Sequence, residues 1–261
     1  MKKLFFLVFF VCSFNVFAQQ PFVTDNADVT DEGKFHFEFA NQINALQRSA
    51  FPTKEQNSSL FGFYYGIFKN AEISFTSPLI VLVNDKNNPP HLIDGVGDSS
   101  LSFKYNFRKE SESSKLPAMT VSASVQFPTG NSARSLGSGV RDYGFNFVAQ
   151  KTYFEKYTFR ANAGTILAGN TLNGVLGFKA HGVIFSGGTS VVRKINEKLQ
   201  LGAELTGAVP NNFRLNAGQL QTQFGGNYQV RKNQTFDFGF IVGRFAASPR
   251  FGLQLGTSID F

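Results

Sequence analysis

From Lys34 onward, apolar and polar residues alternate at every second position, in segments of about ten residues separated by turn-rich stretches. Leu101, Phe103, Tyr105 and Phe107 alternate with Ser100, Ser102, Lys104, Asn106 and Arg108. Phe35, Phe37 and Phe39 alternate with Lys34, His36 and Glu38, and Phe61, Phe63, Tyr65 and Ile67 with Gly62, Tyr64 and Gly66. The pattern recurs around Val121–Phe127, Tyr143–Phe147, Tyr157–Ala161, Leu199–Leu205, Leu220–Val230 and Phe236–Val242. Period two places successive side chains on opposite faces of an extended strand, so each segment has one apolar and one polar face. About twelve such segments fit the chain, an even number that puts both ends of an antiparallel barrel on one side. Two segments are poorer. Ala71 to Val83 loses alternation after Pro78, and Leu176 to Val192 is long enough to predict a bulge at Gly187-Gly188.

The connections alternate in length. Lys69-Asn70, Ile195 to Lys198 and Arg231 to Gln234 are short and polar, whereas Leu46 to Ser58, Asn84 to Gly97 and Pro128 to Arg141 are longer and rich in Pro, Gly and Asn. Aromatics crowd the short-turn ends: Tyr65, Phe68, Tyr105, Phe107, Tyr153, Phe154, Tyr157 and Phe261. With Trp absent, Phe and Tyr would form the interfacial girdle of a membrane barrel. A secreted β-sandwich also alternates, but its apolar parity packs into a shared core. The nearly uniform Phe and Leu face and the paired hairpin lengths favour the barrel.

The N-terminus changes the picture of where the chain works. Met1-Lys2-Lys3, the apolar run Leu4 to Val11 and Val16-Phe17-Ala18 predict a secretory signal peptide over 1–18, cleaved after Ala18. Residues 19–33 then form a periplasmic segment, a candidate lumen plug, and 34–261 a single barrel domain. The one cysteine, Cys12, lies in the leader, so the mature chain carries no disulfide. After Ala18 no run approaches the length of a spanning helix, and mean hydropathy is −0.11. The chain holds 32 Phe and 25 Gly with only 16% charged residues, a composition that favours sheet. Without Lys2 and Lys3, 23 bases face 18 acids, so the mature charge is +5 rather than +7. No dense basic block accompanies it, and nucleic acid is not an expected partner.

The closing segment Phe251 to Phe261 keeps Phe251, Leu253, Leu255, Ile259 and Phe261 on one parity. It resembles the terminal strand of bacterial outer-membrane β-barrels, which implies recognition by the barrel assembly machinery. Pro21-Phe22-Val23-Thr24-Asp25-Asn26-Ala27 followed by Gly33, Gly95-Val96-Gly97-Asp98 leading into Leu101 to Phe107, and Phe127-Pro128-Thr129-Gly130 with Leu136-Gly137-Ser138-Gly139 and Asp142 form a second set. Together they resemble a family of outer-membrane transporters labelled after the meta-cleavage pathway of phenol degradation. The resemblance covers Pro21 to Asp142 and implies a barrel that passes small molecules, including hydrophobic or aromatic ones. The glycines and Pro128 read as turn chemistry. Thr24-Asp25 does not need a turn to explain it, and is expected to lodge in the lumen or cap the periplasmic opening.

Enzymatic readings find little support. An outer-membrane lipid hydrolase needs a His base beside a Ser nucleophile on the lipid face. His36 lies on the polar parity, His91 in a Pro-rich connection, and His181 has Ser186 on the opposite parity. Asp25, Asp28 and Asp31 lack the spacing of a calcium loop. No catalytic, metal or cofactor site is assigned. The polar parity carries the functional expectation: Lys34, His36, Glu38, Glu72, Lys104, Arg160, Lys179, Glu204, Gln221, Gln223, Asp237 and Gln254 point into the lumen. The expected protein is an all-β, up-and-down transmembrane barrel of the bacterial outer membrane. It contacts outer-membrane lipids and passively passes small solutes through a mixed-charge lumen. The alternatives are a lipid hydrolase and a closed structural barrel without transport.

Overall fold

Most strands of this protein are amphipathic, so a flat sheet would leave two unlike faces and two unpaired edges. The chain resolves this by closing on itself. The computed structural model describes residues 21–111, 115–168, 182–211 and 218–261. Its strands are β1 (Phe35–Ala45), β2 (Thr53–Phe68), β3 (Ala71–Asn84), β4 (Leu92–Val96), β5 (Ser99–Arg108), β6 (Ala118–Phe127) and β7 (Asp142–Tyr153). They continue with β8 (Tyr157–Ala168), β9 (Gly182–Lys194), β10 (Leu199–Pro210), β11 (Gln219–Arg231), β12 (Gln234–Gly243) and β13 (Phe251–Asp260). Each strand pairs antiparallel with its chain neighbour, and β1 also pairs with β13, from His36 opposite Asp260 to Ala45 opposite Phe251. The ring therefore closes in a simple up-and-down order. Beyond the last strand pair, Phe35 and Phe261 exchange main-chain hydrogen bonds, with Phe261 N donating to Phe35 O at 2.9 Å.

Twelve strands make the barrel wall, because β4 and β5 share one neighbour. β4 pairs with Leu79–Val83 of β3 and β5 with Ala71–Thr76 of the same strand. They are one wall element interrupted at Gly97-Asp98. The interruption explains how β3 runs straight through Pro78, where the sequence pattern faded. Gly97 N donates to Pro78 O at 2.8 Å, so the side of proline that lacks an N–H faces the break in the ladder.

Three expectations need correction. β2 begins at Thr53, inside the connection expected over Leu46 to Ser58, because Glu55 to Ser59 pair with β1 and β3 despite a polar outward face. Part of the expected connection Asn84 to Gly97 is β4. There is no bulge at Gly187-Gly188, since the register with β8 and β10 is continuous there. Residues 176–181 of that segment lie outside the described residues.

The packing is inside out. Phe63, Phe75, Phe103, Phe145, Phe224, Phe240 and Leu253 are exposed on the wall, while Glu38, Glu72, Lys104, Thr120, Glu204, Gln223 and Asp237 are buried within. Apolar surface outside and hydrogen-bonded polar groups inside is the arrangement that lipid demands of a spanning sheet. Apolar clusters among the described residues are small; one joins Ala27, Ala118 and Val148, another Ile80, Leu82 and Leu136.

Candidate functional site

The segment ahead of β1 crosses the barrel interior as a strap. Pro21 O accepts from Gln223 Nε2 at 2.6 Å, and the Val23 and Thr24 amides donate to the Glu204 carboxylate at 2.9 and 2.8 Å. Farther along, Ala27 O accepts from Thr120 Oγ1 at 2.7 Å and from Asn106 Nδ2, and Ala27 N donates to Gln150 Oε1. Gln150 Nε2 reaches Asp28 at 3.0 Å, and Thr30 donates its amide and hydroxyl to Glu72 at 2.6 and 2.9 Å. These partners lie on β3, β5, β6, β7, β10 and β11, so the strap spans the lumen from one wall to the other. A backbone without secondary structure needs its N–H and C=O groups satisfied when buried, and here wall side chains do this.

The wall is recessed where the strap enters. Gly202, Gly225 and Gly239 stand opposite one another on β10, β11 and β12. A Cβ on Gly202 would come within 3.0 Å of the Phe22 ring, and one on Gly225 within 3.1 Å of Pro21. On β9, a Cβ on Gly188 would approach Thr24 Oγ1 at 3.1 Å and Thr206 at 2.7 Å. The paired glycines of β9 thus mark a close approach of chain segments rather than a bulge.

Lys104 is the charged latch of this arrangement. Its ammonium lies 2.9 Å from Asp25 Oδ1, 3.1 Å from Asn26 Oδ1 and 3.9 Å from Glu72. A second cluster sits beside the barrel seam: His36 contacts Asp260 through Nδ1 at 2.6 Å and Glu38 through Nε2 at 3.1 Å, while Tyr64 donates to Glu38 at 3.0 Å. Both imidazole nitrogens are taken by carboxylates. Arg160 donates to Gln150 at 3.0 Å, and Asn227 donates to Asp237 at 2.6 Å. On the outer rim, the Lys54 ammonium bonds to Asp85 and holds that half-buried carboxyl below its ordinary range.

Of the residues singled out from the polar parity, His36, Glu38, Glu72, Lys104, Glu204, Gln221, Gln223, Asp237 and Gln254 are buried within the barrel, and Arg160 is half-buried there. Lys34 shares the parity but precedes β1, where Gly33 (φ +74°) turns the chain, and its side chain is exposed at the rim. Lys179 lies outside the described residues. Thr24 is fully buried and Asp25 is on Lys104. Phe251, Leu253, Leu255 and Phe261 are exposed on the outer face, with Ile259 half-buried among them.

Above the strap, toward the long connections, the interior opens into a cavity of 640 Å³. Ser58, Ser74, Thr76, Ser100, Ser102 and Ser122 line it with hydroxyls, interleaved with Leu60, Pro78 and Leu136, and Asp25, Glu38, Glu72 and Lys104 form its charged floor. Sequence reasoning placed Asp98 in a motif but missed its role; it sits at the break between β4 and β5. Its carboxylate accepts from Gly130 N at 2.9 Å and Ser138 N at 2.6 Å. Thr129 Oγ1 donates to Gly97 O at 2.8 Å and accepts from Ser99 N at 2.9 Å. These contacts fold the 128–141 connection inward until Leu136 is buried against Ile80 and Leu82. The glycine-aspartate and Pro-Thr-Gly motifs, separate in sequence, are two halves of one clamp at the cavity mouth.

The family described as "Putative MetA-pathway of phenol degradation" matches residues 18–261. The chain belongs to that family. No curated protein matches it by sequence. Among solved structures, an outer membrane channel from Pseudomonas putida F1 shares 12% identity at a TM-score of 0.71, covering 90% of this chain and 98% of that one. The NanC porin follows at 10% identity and a TM-score of 0.57, covering 86% and 98%. The KdgM porin, in complex with disordered oligogalacturonate, gives 9% and 0.54, covering 87% and 99%. At these identities the likeness is one of fold, and the family member therefore has the fold of outer-membrane channels.

Proposed function

We propose that this family member is a passive outer-membrane channel for small solutes, with its own N-terminal strap as the gate. The observation that carries the reading is the pairing of a closed lipid-compatible wall with a polar interior divided by the strap. Solute enters the outer cavity past the Asp98 clamp and meets the Asp25–Lys104–Glu72 latch. Passage continues around the strap or by displacing it, with no covalent chemistry. The mixed lining of the cavity, hydroxyls interleaved with Leu60, Pro78 and Leu136, suits amphiphilic or aromatic solutes as well as polar ones. The fold shared with a channel and with porins supports this reading, as does family membership. A lipid hydrolase is disfavoured because His36 points inward and spends both nitrogens on carboxylates. Liposome swelling with uncharged solutes of graded size tests the proposal. Swelling that stops at a size cut-off supports it, and impermeability to every solute, with and without the strap, refutes it.

A further inference from the structure

The outer wall at the barrel seam carries a groove that transport does not use. It lies where β13, β1 and β2 approach the outer connections and has a volume of 680 Å³. Its floor is apolar: Ile43 pairs with Leu253 across the seam, Ala45 with Phe251, and Phe51 projects from the 46–52 connection. The strand order places this end away from both termini, hence at the outer leaflet.

Two features distinguish the groove from the rest of the apolar belt. The first is its cationic rim. Arg48 and Arg250 border it, and neither has a carboxylate partner among the described residues, whereas Lys54 is spent on Asp85. The Arg250 guanidinium lies over the Phe251 ring, 5.1 Å from its centroid. Glu55 is the one acid in the lining. The second is a polar notch in the lipid-facing surface directly alongside. Asn41 Nδ2 donates to Asn57 Oδ1 at 2.6 Å and to Ser59 Oγ at 2.8 Å, on the parity that elsewhere carries Phe and Leu. Asn57 stands opposite Ile43. The apolar belt is therefore lower over β2, and a polar headgroup can descend there.

We propose that this groove binds a phosphorylated glycolipid of the outer leaflet. Phosphate would lie between Arg48 and Arg250, sugar hydroxyls would meet the amides of the notch, and acyl chains would cover Ile43, Phe251 and Leu253. Planar guanidinium donors match phosphate oxygens, and the charge complementarity selects an anionic headgroup.

Native mass spectrometry of the folded full chain in detergent tests this, with bisphosphorylated lipid A as the probe. The expected result is one retained lipid A per barrel. Occupancy should fall about tenfold with the phosphates removed, and at least as far in the Arg48→Ala/Arg250→Ala double variant. Arg193→Ala, at the opposite end of the barrel, should retain it. Should the double variant fail to fold, the phosphorylated and dephosphorylated lipids compared on the unmodified chain decide the matter. Equal retention of the two forms overturns the proposal, as does full occupancy in a folded double variant. Equal competition by phosphatidylglycerol also overturns it, because the rim would then be a general anionic-lipid surface.

Discussion

Replacing Lys104 with Met should loosen the strap without unfolding the barrel. Lys104 is 4% exposed and, among the described residues, is the only cation within ion-pairing distance of Asp25 and Glu72. Methionine keeps the chain's bulk but leaves the Asp25 and Glu72 carboxylates without the cation that sits between them. Removing one partner of a buried pair costs about 3–5 kcal/mol. The lower end applies here, since the Asp25 side chain is 26% exposed. The strap can escape this cost by swinging out, whereas the wall, tied by its ladders, cannot. About 3 kcal/mol shifts the equilibrium between docked and released strap by about a hundredfold. The mature chain is expected to lack cysteine, so Thr24→Cys, at a fully buried position, gives a single reporter. Its thiol-labelling rate should rise about a hundredfold in the Lys104→Met background, with the folded band in a heat-modifiability gel unchanged. A rate within about twofold of the parent, in a folded barrel, would refute the latch.

Four other outcomes follow from the same geometry. Asp98→Ala removes a charged acceptor from two amides, each worth about 1.5–3 kcal/mol, so trypsin should cut the 128–141 connection after Arg134 markedly faster while barrel stability holds. Phe145→Arg, on the lipid face near mid-wall, should cost about 2–4 kcal/mol in urea titrations of vesicle-embedded protein, whereas Ser102→Arg, facing the cavity, should cost much less. Glu155 and Phe154 both adopt left-handed backbone (φ 54°) in the turn between β7 and β8; Glu155→Gly should stabilise the barrel by about 1 kcal/mol in the same titration. Deleting Phe261 removes the two main-chain bonds to Phe35 and the terminal aromatic, and assembled protein in bacterial outer membranes should drop well below that of the intact chain.

How much of this was legible in the sequence depended on local period. Where a strand keeps an apolar outer face, as β5 does from Leu101 to Phe107, alternation alone fixed its existence and which side faces the lumen. Where the outer face turns polar, at Asn57 and Ser59, the same rule placed the start of β2 several residues late. Pro78 interrupts the pattern of β3 but not the strand, because its tolerance depends on a break in the neighbouring strand. That information is tertiary. The inward parity of Glu204, Gln223 and Gln254 was readable, but their roles were not. Glu204 and Gln223 hold main-chain groups of Pro21, Val23 and Thr24, about 180 residues or more away in sequence. Gly202, Gly225 and Gly239 carry no local signal of their role, which is to leave room for Pro21 and Phe22 of the strap. Asp98 was visible as part of a motif, and its role as a clamp required Gly130 and Ser138 to come together in space.

Single-channel recording in planar bilayers tests the central claim most directly, comparing the intact mature chain with one lacking residues 21–30. Gating by the strap predicts small or infrequent discrete steps from the intact barrel and larger, long-lived steps from the shortened one. The same step size and frequency in both folded proteins, or silence in both, would contradict it.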